Sequence, residues 1–382
     1  QQDRRYDVFD LWINDDVRAC DAFVELVKKA SQFREAAERL ASSGSELVAF
    51  LEETDGLGDV QRDIATIAID VKSMLQACEA IMETPDRNYV YSAHVSRKPE
   101  HVAERLEAML IDVGQELDQT LYERTRSIVY ASATLSVGHG FSSFNRAMGL
   151  GGDGPARVNE CLLGSSYDFE NHMRVFVLND IPDPRDPSYL PILEGLLARA
   201  HIAQGGSMLT LLTNRREMET CFDDINPRMK EEGLRVVCQK WGVSTKGLRD
   251  EFIANETLSL FALKSFWEGF DAPGSTLKGV IIPRLPFSSP NDPLSKERAA
   301  REKGAWSKYC LPAAVIDLKQ AAGRLIRSST DTGILILADR RLVTMGYGRT
   351  FLRSLPSQNI TVCSTDELIE AMTGGLFGSL SG

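Results

Sequence analysis

The front of the chain spaces its apolar residues with the period of amphipathic helices. Over Asp15–Leu40 they recur every three or four positions, and the sequence SSGS then interrupts the pattern. A short helix is predicted over Ser45–Glu53, and a longer one over Val60–Glu83 carries a broad apolar stripe. Because such helices are marginal alone in water, we expect them to pack against one another. A short strand is predicted over residues 88–95 and a long helix over Pro99–Glu123.

From residue 127 onward, compact apolar runs alternate with amphipathic stretches. The first run, SIVYA at 127–131, predicts a strand, and the Gly-rich residues 138–165 after it predict a loop. The alternation that follows is typical of an α/β fold, a parallel sheet with crossover helices on both faces. The predicted strands are 175–178, 207–212, 236–239, 258–263, 279–283, 333–338 and 360–363, and the predicted helices are 187–204, 215–231, 245–254 and 312–328.

Composition narrows the classes of protein. The 382 residues, 43% apolar and 25% charged, indicate a globular chain of two or three domains. No apolar run approaches the roughly 18 residues that span a membrane, and the start has no signal-peptide pattern, so no membrane partner is expected. The net charge of −11 is uneven, since residues 1–125 hold 14 basic against 26 acidic side chains and residues 126–382 hold 29 against 28. The acidic total disfavours a protein that coats polyanions without specificity, but it does not exclude a local basic groove within residues 126–382.

The seven cysteines are scattered, and no CxxC pair occurs. This spacing favours neither a zinc site nor an iron–sulfur cluster, and it does not suggest a disulfide framework. No metal site is therefore predicted in this chain. A reducing, cytoplasmic location is expected.

Two short polar segments follow predicted strands, where parallel sheets bind their ligands. Ser132-Ala133-Thr134 follows the 127–131 run, and as a tripeptide it fits an ordinary turn. Thr213-Asn214 follows the strand at 207–212. Thr213 can cap the next helix, and a helix N-terminus with hydroxyl and amide groups can equally seat a nucleic-acid phosphate. Both interpretations stay open on these residues alone.

A third segment, KSFWEGFDAPGSTLKGVIIPRLPF at 264–287, is richer in chemistry. Gly269 permits close backbone approach. The carboxylates of Glu268 and Asp271 beside it are costly to bury unless they meet a metal, an arginine or a hydroxyl. A loop of internally satisfied ion pairs is the alternative interpretation.

The fourth segment is DLKQAAGRLIR at 317–327. Pro312 can begin a helix, from which Gln320, Arg324 and Arg327 at i, i+4 and i+7 would share one face. Guanidinium groups fork onto phosphate oxygens and stabilise the charge of phosphoryl transfer. The segment therefore predicts a phosphate-binding helix, with a solvated helix face as the alternative.

In this order and spacing, the four segments resemble motifs III to VI of superfamily 2 helicases, and more narrowly the DinG branch of the XPD-like group. That branch carries SFWEGxDxPGxxLxxVIIxxLPFxxPxDP, which appears at Ser265–Pro293. It also carries LPxAxxxLKQxxGRLIRxxxDxGxxxxLDxR, which appears at Leu311–Arg340 and ends here in Ala338-Asp339-Arg340. The likeness covers roughly residues 126–375.

The resemblance implies a RecA-like second motor domain that acts on ATP with Mg²⁺ and on single-stranded DNA. It implies that Arg327 foremost, and Arg324, reach the ATP phosphates, and that Gln320 helps couple nucleotide to strand. For nucleotide coupling it implies Ser132, Thr134, Glu268, Gly269 and Asp271, and for DNA contact Thr213, Asn214, Ser265 and Trp267. Trp267 would stack on a base, although packing in the core would explain it equally well.

The same resemblance implies three parts: a helical, arch-like segment at 1–87, a remnant of the first motor domain with motif III and a linker at 88–165, and the second motor domain at 166–382. No GxxxxGK[ST], no DEAH-like acidic motif and no cysteine quartet occurs. We therefore expect the C-terminal portion of a longer helicase, without an iron–sulfur cluster and inactive as an ATPase by itself.

Two other functions remain open at this point. One is a module that binds DNA or protein and never hydrolyses ATP. The other is a nuclease, whose metal site would lie outside this chain because no carboxylate cluster is evident here. Oligomeric state, polarity and the preference between DNA and RNA are left open.

Overall fold

A computed structural model describes residues 8–52, 56–83, 85–96, 104–138, 140–150, 158–240, 242–266, 272 and 276–374. The chain forms two compact units. The first comprises residues 1–124 together with 288–306, and the second comprises 125–287 together with 307–382. The three functional parts predicted from the sequence, 1–87, 88–165 and 166–382, stay a prediction.

The first unit contains a long helical hairpin. Strand β1 (Val8–Trp12) and the single-turn helix α1 (Asp15–Arg18) lead into α2 (Asp21–Glu52) and α3 (Gly58–Met82). The predicted break at SSGS was wrong, because α2 is continuous there. A Cβ placed on Gly44 would lie 3.3 Å from the Cβ of Ala68 in α3, so close helix packing offsets the low helix propensity of glycine.

The predicted helix over 99–123 was also wrong. Strands β2 (Tyr89–Ser96) and β3 (Arg105–Leu110) pair antiparallel, and only α4 (Gly114–Thr120) and a 3-10 turn (Tyr122–Arg124) are helical. Leu106, Ala108 and Leu110 lie opposite residues of β2 with the two-residue period of a strand. The three strands form a sheet in the order β1-β2-β3, which sequence reasoning did not predict.

The second unit is built on a parallel sheet. All its paired strands run parallel, in the order β10-β4-β9-β8-β5-β7-β6. The strands are β4 (Met173–Leu178), β5 (Met208–Leu211), β6 (Arg235–Cys238), β7 (Leu258–Ala262), β8 (Gly279–Ile282), β9 (Gly333–Leu337) and β10 (Ile360–Cys363). Every residue of the four central strands β5, β7, β8 and β9 is buried, as expected for a sheet covered on both faces. The predicted α/β class is confirmed.

Helices cover both faces of this sheet. The helices after α4 are α5 (Ser142–Ala147), α6 (Phe169–His172), α7 (Tyr189–Gln204), α8 (Arg215–Glu231), α9 (Thr245–Ile253), α10 (Pro293–Arg301), α11 (Leu311–Ala322), α12 (Arg341–Thr344), α13 (Gly348–Ser354) and α14 (Thr365–Thr373). One core cluster joins the sheet to α9, α11 and α13, and a second joins it to α7, α8 and α14. None of the helices in the described residues is long and apolar enough to span a membrane.

Helix α10 belongs to the first unit although it follows β8 in the chain. Within that unit, Trp12 Nε1 donates to Glu297 Oε2 at 2.7 Å, and Arg298 Nη2 donates to the carbonyl oxygen of Ile111 at 2.7 Å. The chain therefore leaves the second unit after Phe287 and returns at Ser307.

The predicted strand at 127–131 was wrong. These residues pair with no strand in the described part of the chain, and the side chain of Val129 is 89% exposed. A strand needs a neighbour for its backbone hydrogen bonds, so a β-rich sequence without such a neighbour stays irregular. The loop predicted at 138–165 is also interrupted, by the short helix α5.

Candidate nucleotide and nucleic-acid site

The phosphate-binding helix predicted over 312–328 is shorter than expected. Helix α11 ends at Ala322, and the chain continues in tight turns in which the backbone N–H of Arg324 donates to the carbonyl oxygen of Ala321 at 3.3 Å. Leu325 and Ile326 are each 1% exposed, so the chain leaves the helix as both side chains enter the core. The prediction that Gln320, Arg324 and Arg327 share one helical face was therefore wrong.

The two arginines lie in different environments. Arg324 is buried, at 8% exposure, whereas Arg327 is exposed. Asp331 holds the backbone beside Arg327, because its Oδ2 accepts from the backbone N–H groups of Arg327 at 2.8 Å and Ser328 at 2.9 Å. Ser328 Oγ also donates to Asp331 Oδ1 at 2.7 Å. Arg327 thus presents an exposed guanidinium on a backbone fixed by a carboxylate.

Gln320 contacts the segment that follows residues 127–131. Its Nε2 donates to Thr134 Oγ1 at 3.5 Å, and the Thr134 hydroxyl lies 3.2 Å from Ser132 Oγ. Gln320 Oε1 is buried and has no hydrogen-bond partner among the described residues. The structure therefore brings together three residues that sequence reasoning predicted for coupling.

Lys319 strengthens the same contact and was missed by sequence reasoning. Its Nζ donates to Ser136 Oγ at 3.1 Å and to the carbonyl oxygen of Ser136 at 3.3 Å. Burial lowers the pKa of the Lys319 ammonium group. Because Ser136 is only 3% exposed, this lysine anchors residues 132–136 along α11.

Thr213 and Asn214 lie at the carboxyl end of β5. The cap predicted for Thr213 is supplied by Asn214 instead, whose Oδ1 accepts from the backbone N–H of Glu217 at 3.1 Å. The reason is geometric, because Asn214 has the extended backbone of an N-cap residue, with φ −131° and ψ 124°. Thr213 is exposed.

Ser265 follows the neighbouring strand β7 and is exposed. Its Oγ accepts a hydrogen bond from Gln239 Nε2 at 2.7 Å, and its carbonyl oxygen accepts from Arg249 Nη2 at 3.3 Å. Gln239 comes from the end of β6 and was also missed, since its partners are distant in sequence. The one signal it gave was a polar residue directly after an apolar strand.

The remaining residues predicted from the third segment, Trp267, Glu268, Gly269 and Asp271, lie outside the described residues. Beside them, Lys264 Nζ lies 3.1 Å from Asp317 Oδ2 of α11. The predicted residues that the structure does describe thus form two groups, one around α11 and one at the ends of β5 and β7.

A partly buried ion pair supports the carboxyl ends of β5 and β8. Arg284 Nη2 lies 2.9 Å from Glu217 Oε2, and the Tyr189 hydroxyl donates to Glu217 Oε1 at 3.4 Å. Burial raises the pKa of the Glu217 carboxyl, and the Arg284 cation opposes this increase. This cluster stabilises the edge of the sheet that carries the predicted site.

The chemistry of these side chains suits phosphate more than a metal ion. An exposed arginine and several hydroxyls are hydrogen-bond donors that can bind phosphate oxygens. Across the described residues, no group of three or more His, Cys, Asp or Glu side chains could hold a metal ion.

Comparisons with known proteins identify the domain. A family model described as "Helicase C-terminal domain" matches residues 197–358. Over 251 residues the chain is 35% identical to the ATP-dependent DNA helicase YoaA of Escherichia coli (strain K12), covering 64% of this chain and 38% of that protein. Over 276 residues it is 31% identical to the 3'-5' exonuclease DinG of Bacillus subtilis (strain 168), covering 70% of this chain and 29% of that protein.

A solved structure agrees with the fold. S. tokodaii Xpd4 superposes with a TM-score of 0.51 at 12% sequence identity, covering 94% of this chain and 72% of that chain. This likeness shows a shared RecA-like architecture and no more. The chain spans less than half the length of the two curated relatives. With the family model and relatives at 31% and 35% identity, the chain belongs to the XPD/DinG family of superfamily 2 helicases and carries its C-terminal helicase domain.

Proposed function

We propose that the second unit works as the second motor domain of an ATP-driven DNA helicase. The observation that carries this proposal is the contact between the Gln320 amide and the Thr134 hydroxyl, at 3.5 Å. Residues 132–134 and α11 belong to motifs III and VI by resemblance, and a motor must link nucleotide state to strand movement. A hydrogen bond between the two motifs supplies such a link.

At the nucleotide end, Arg327 is the finger that stabilises charge on the transferred phosphoryl group. Its exposure and the Asp331-held backbone support this role. Because Arg324 is buried, we rank it behind Arg327 as a phosphate contact. The Gln320 side chain passes the nucleotide state to Thr134 through its Nε2, and the Thr134 hydroxyl contacts Ser132. Mg²⁺ would neutralise charge on the ATP phosphates, and we place its ligands mainly outside this chain.

At the DNA end, Thr213, Asn214 and Ser265 contact phosphates of a single strand. They follow strands β5 and β7, which are neighbours, so one backbone can meet both points. Hydroxyl and amide donors position a strand without reading its sequence, as a translocating motor requires. By motif likeness we assign Trp267 to the same DNA contacts, and Glu268, Gly269 and Asp271 to nucleotide coupling; all four lie outside the described residues.

The 382-residue chain alone is proposed not to hydrolyse ATP, because its sequence holds neither a Walker A nor a Walker B motif. Its place is the cytoplasm, which is consistent with seven free cysteines. If this chain alone hydrolysed ATP faster than an Arg327→Ala preparation, the proposal that it is inactive by itself would be wrong.

Coupling is tested in the full reading frame with Thr134→Val and Gln320→Leu, which remove the hydrogen bond with little change of shape. We expect both variants to bind single-stranded DNA normally and to lose at least about tenfold in strand-stimulated ATP hydrolysis. Thr134→Ser keeps the hydroxyl and serves as the matched control. Unchanged stimulation in all three variants would remove the coupling role.

A further inference from the structure

We propose that Gln239 is a positioning residue that aims the Ser265 hydroxyl at a DNA phosphate and fixes its spacing from Thr213. The inference rests on the proposed DNA surface and adds a residue that the resemblance did not indicate. Gln239 lies directly after β6, the strand next to β7, so it borders the surface without being part of it. It is 9% exposed, too buried to be a principal phosphate contact itself.

Every polar atom of Gln239 is engaged. Its side-chain Oε1 accepts from the backbone N–H of Leu263 at 2.9 Å, and its Nε2 donates to Ser265 Oγ at 2.7 Å. Its backbone N–H donates to the carbonyl oxygen of Phe261 at 3.0 Å, and its carbonyl oxygen accepts from Arg215 Nη1 at 2.8 Å. This buried amide has one orientation, because a flip would place its NH2 group against the backbone N–H of Leu263, two donors facing each other.

This orientation determines where the Ser265 proton points. Because Ser265 Oγ accepts from Gln239, its own O–H bond must point away from Gln239. Ser265 is exposed, so the hydroxyl hydrogen is directed to the outer surface, where a phosphate oxygen would accept it. A hydrogen bond to a charged acceptor is worth about 1.5–3 kcal/mol, or about tenfold or more in affinity.

The carbonyl of Gln239 fixes the second contact point. Arg215 is the first residue of α8 and follows Thr213-Asn214 directly. Its hydrogen bond to Gln239 ties the start of α8 to the end of β6, while the Gln239 side chain ties the start of the Ser265 loop to the same residue. One residue therefore sets the distance between the two predicted phosphate contacts.

Binding of a fluorescent oligo(dT)20 to the 382-residue chain tests this arrangement. We expect Ser265→Ala to weaken binding about tenfold, and Gln239→Met to weaken it by about three- to tenfold. Gln239→Glu keeps the acceptor for Leu263 but draws the Ser265 proton inward, so it should weaken binding at least as much. Gln204→Glu makes the same charge change at the end of α7, before β5 and so at the opposite edge of the sheet, and should leave binding unchanged.

The decisive comparison repeats both Gln239 variants in the Ser265→Ala background. If Gln239 acts through Ser265, the loss of oligo(dT)20 affinity caused by each Gln239 substitution should be at least threefold smaller in the Ser265→Ala background than in wild type. Equal losses in both backgrounds would mean a general structural or charge effect and would overturn the inference, even with wild-type binding intact.

Hydrogen exchange tests the positioning role of Gln239 separately from DNA binding by the proposed surface. Gln239→Met should speed amide exchange in peptides covering residues 263–266, while Gln239→Glu should not, because only the former removes the Leu263 acceptor. Equal exchange in Gln239→Met and wild type would overturn the positioning role. If wild type does not bind oligo(dT)20, the DNA surface and the aimed phosphate contact both fall.

Discussion

Lys264 Nζ lies 3.1 Å from Asp317 Oδ2, so the loop after β7 is joined to the middle of α11 by an ion pair. The two ends differ, since the Lys264 side chain is 73% exposed and that of Asp317 only 12%. The loop carries Ser265 and the helix carries Gln320. We therefore expect movement of the proposed strand-binding loop to act on α11 through this ion pair.

Lys264→Met should change function more than stability. The Lys264 end of the pair is 73% exposed, so solvent screens the interaction, and the free energy of unfolding should change by no more than about 1 kcal/mol. In the full reading frame, stimulation of ATP hydrolysis by single-stranded DNA should fall several-fold if the pair transmits movement. Arg235→Met breaks a comparable pair with Glu251, at 2.7 Å and at the opposite end of β6, and should leave stimulation unchanged. Equal effects of the two substitutions would show that this pair has no special role.

Arg284→Met should destabilise the second unit. The Glu217 side chain is 12% exposed, and losing Arg284 leaves a nearly buried charge without a counter-ion. We expect a loss of roughly 2–4 kcal/mol in the free energy of unfolding, measured with urea. Adding Glu217→Gln should recover most of that loss. A double variant as unstable as the single one would show that the ion pair is not the cause.

His201 should make stability depend on pH. Its ring nitrogens lie 2.9 Å from Ser259 Oγ and 2.8 Å from Thr210 Oγ1, and complete burial lowers its pKa to about 3. The unfolded chain protonates this histidine below its usual pKa of about 6.5, whereas the folded chain does so only near 3, so stability falls as pH drops through this interval.

The measurement compares urea unfolding of wild type and His201→Gln at pH 7, 6 and 5. Between pH 6 and 5, wild type should lose up to about 1.4 kcal/mol more than the variant. The same pH dependence in both proteins would show that the His201 site does not contribute it.

The sheet of the second unit was largely predictable from the sequence. Its strands are short apolar runs between helices, and α8 was predicted at its observed bounds, 215–231, from local spacing, although its cap is Asn214 and not Thr213. Arg324 and Arg327 departed from the predicted helix for a tertiary reason: Leu325 and Ile326 both have to enter the core, which local spacing does not reveal.

Long-range contacts limited prediction of the site itself. Gln239 and Lys319 act on residues 26 and 183 positions away, Ser265 and Ser136. Neither partnership follows from the sequence pattern. Likewise, β3 was predicted as helix because its pairing with β2 is a tertiary feature. Motif likeness located Ser265 and Gln320, while the residues that position them required the fold.

The most direct test of the proposed motor is ATP hydrolysis by the full reading frame with saturating single-stranded DNA, comparing wild type with Arg327→Ala. Arginine fingers contribute about 10³-fold or more to phosphoryl transfer, so turnover should collapse by that factor while nucleotide binding persists. Arg349→Ala removes an exposed arginine of α13 and should leave turnover intact. Unchanged turnover in Arg327→Ala would contradict the finger role, and absence of turnover in wild type would contradict the motor itself.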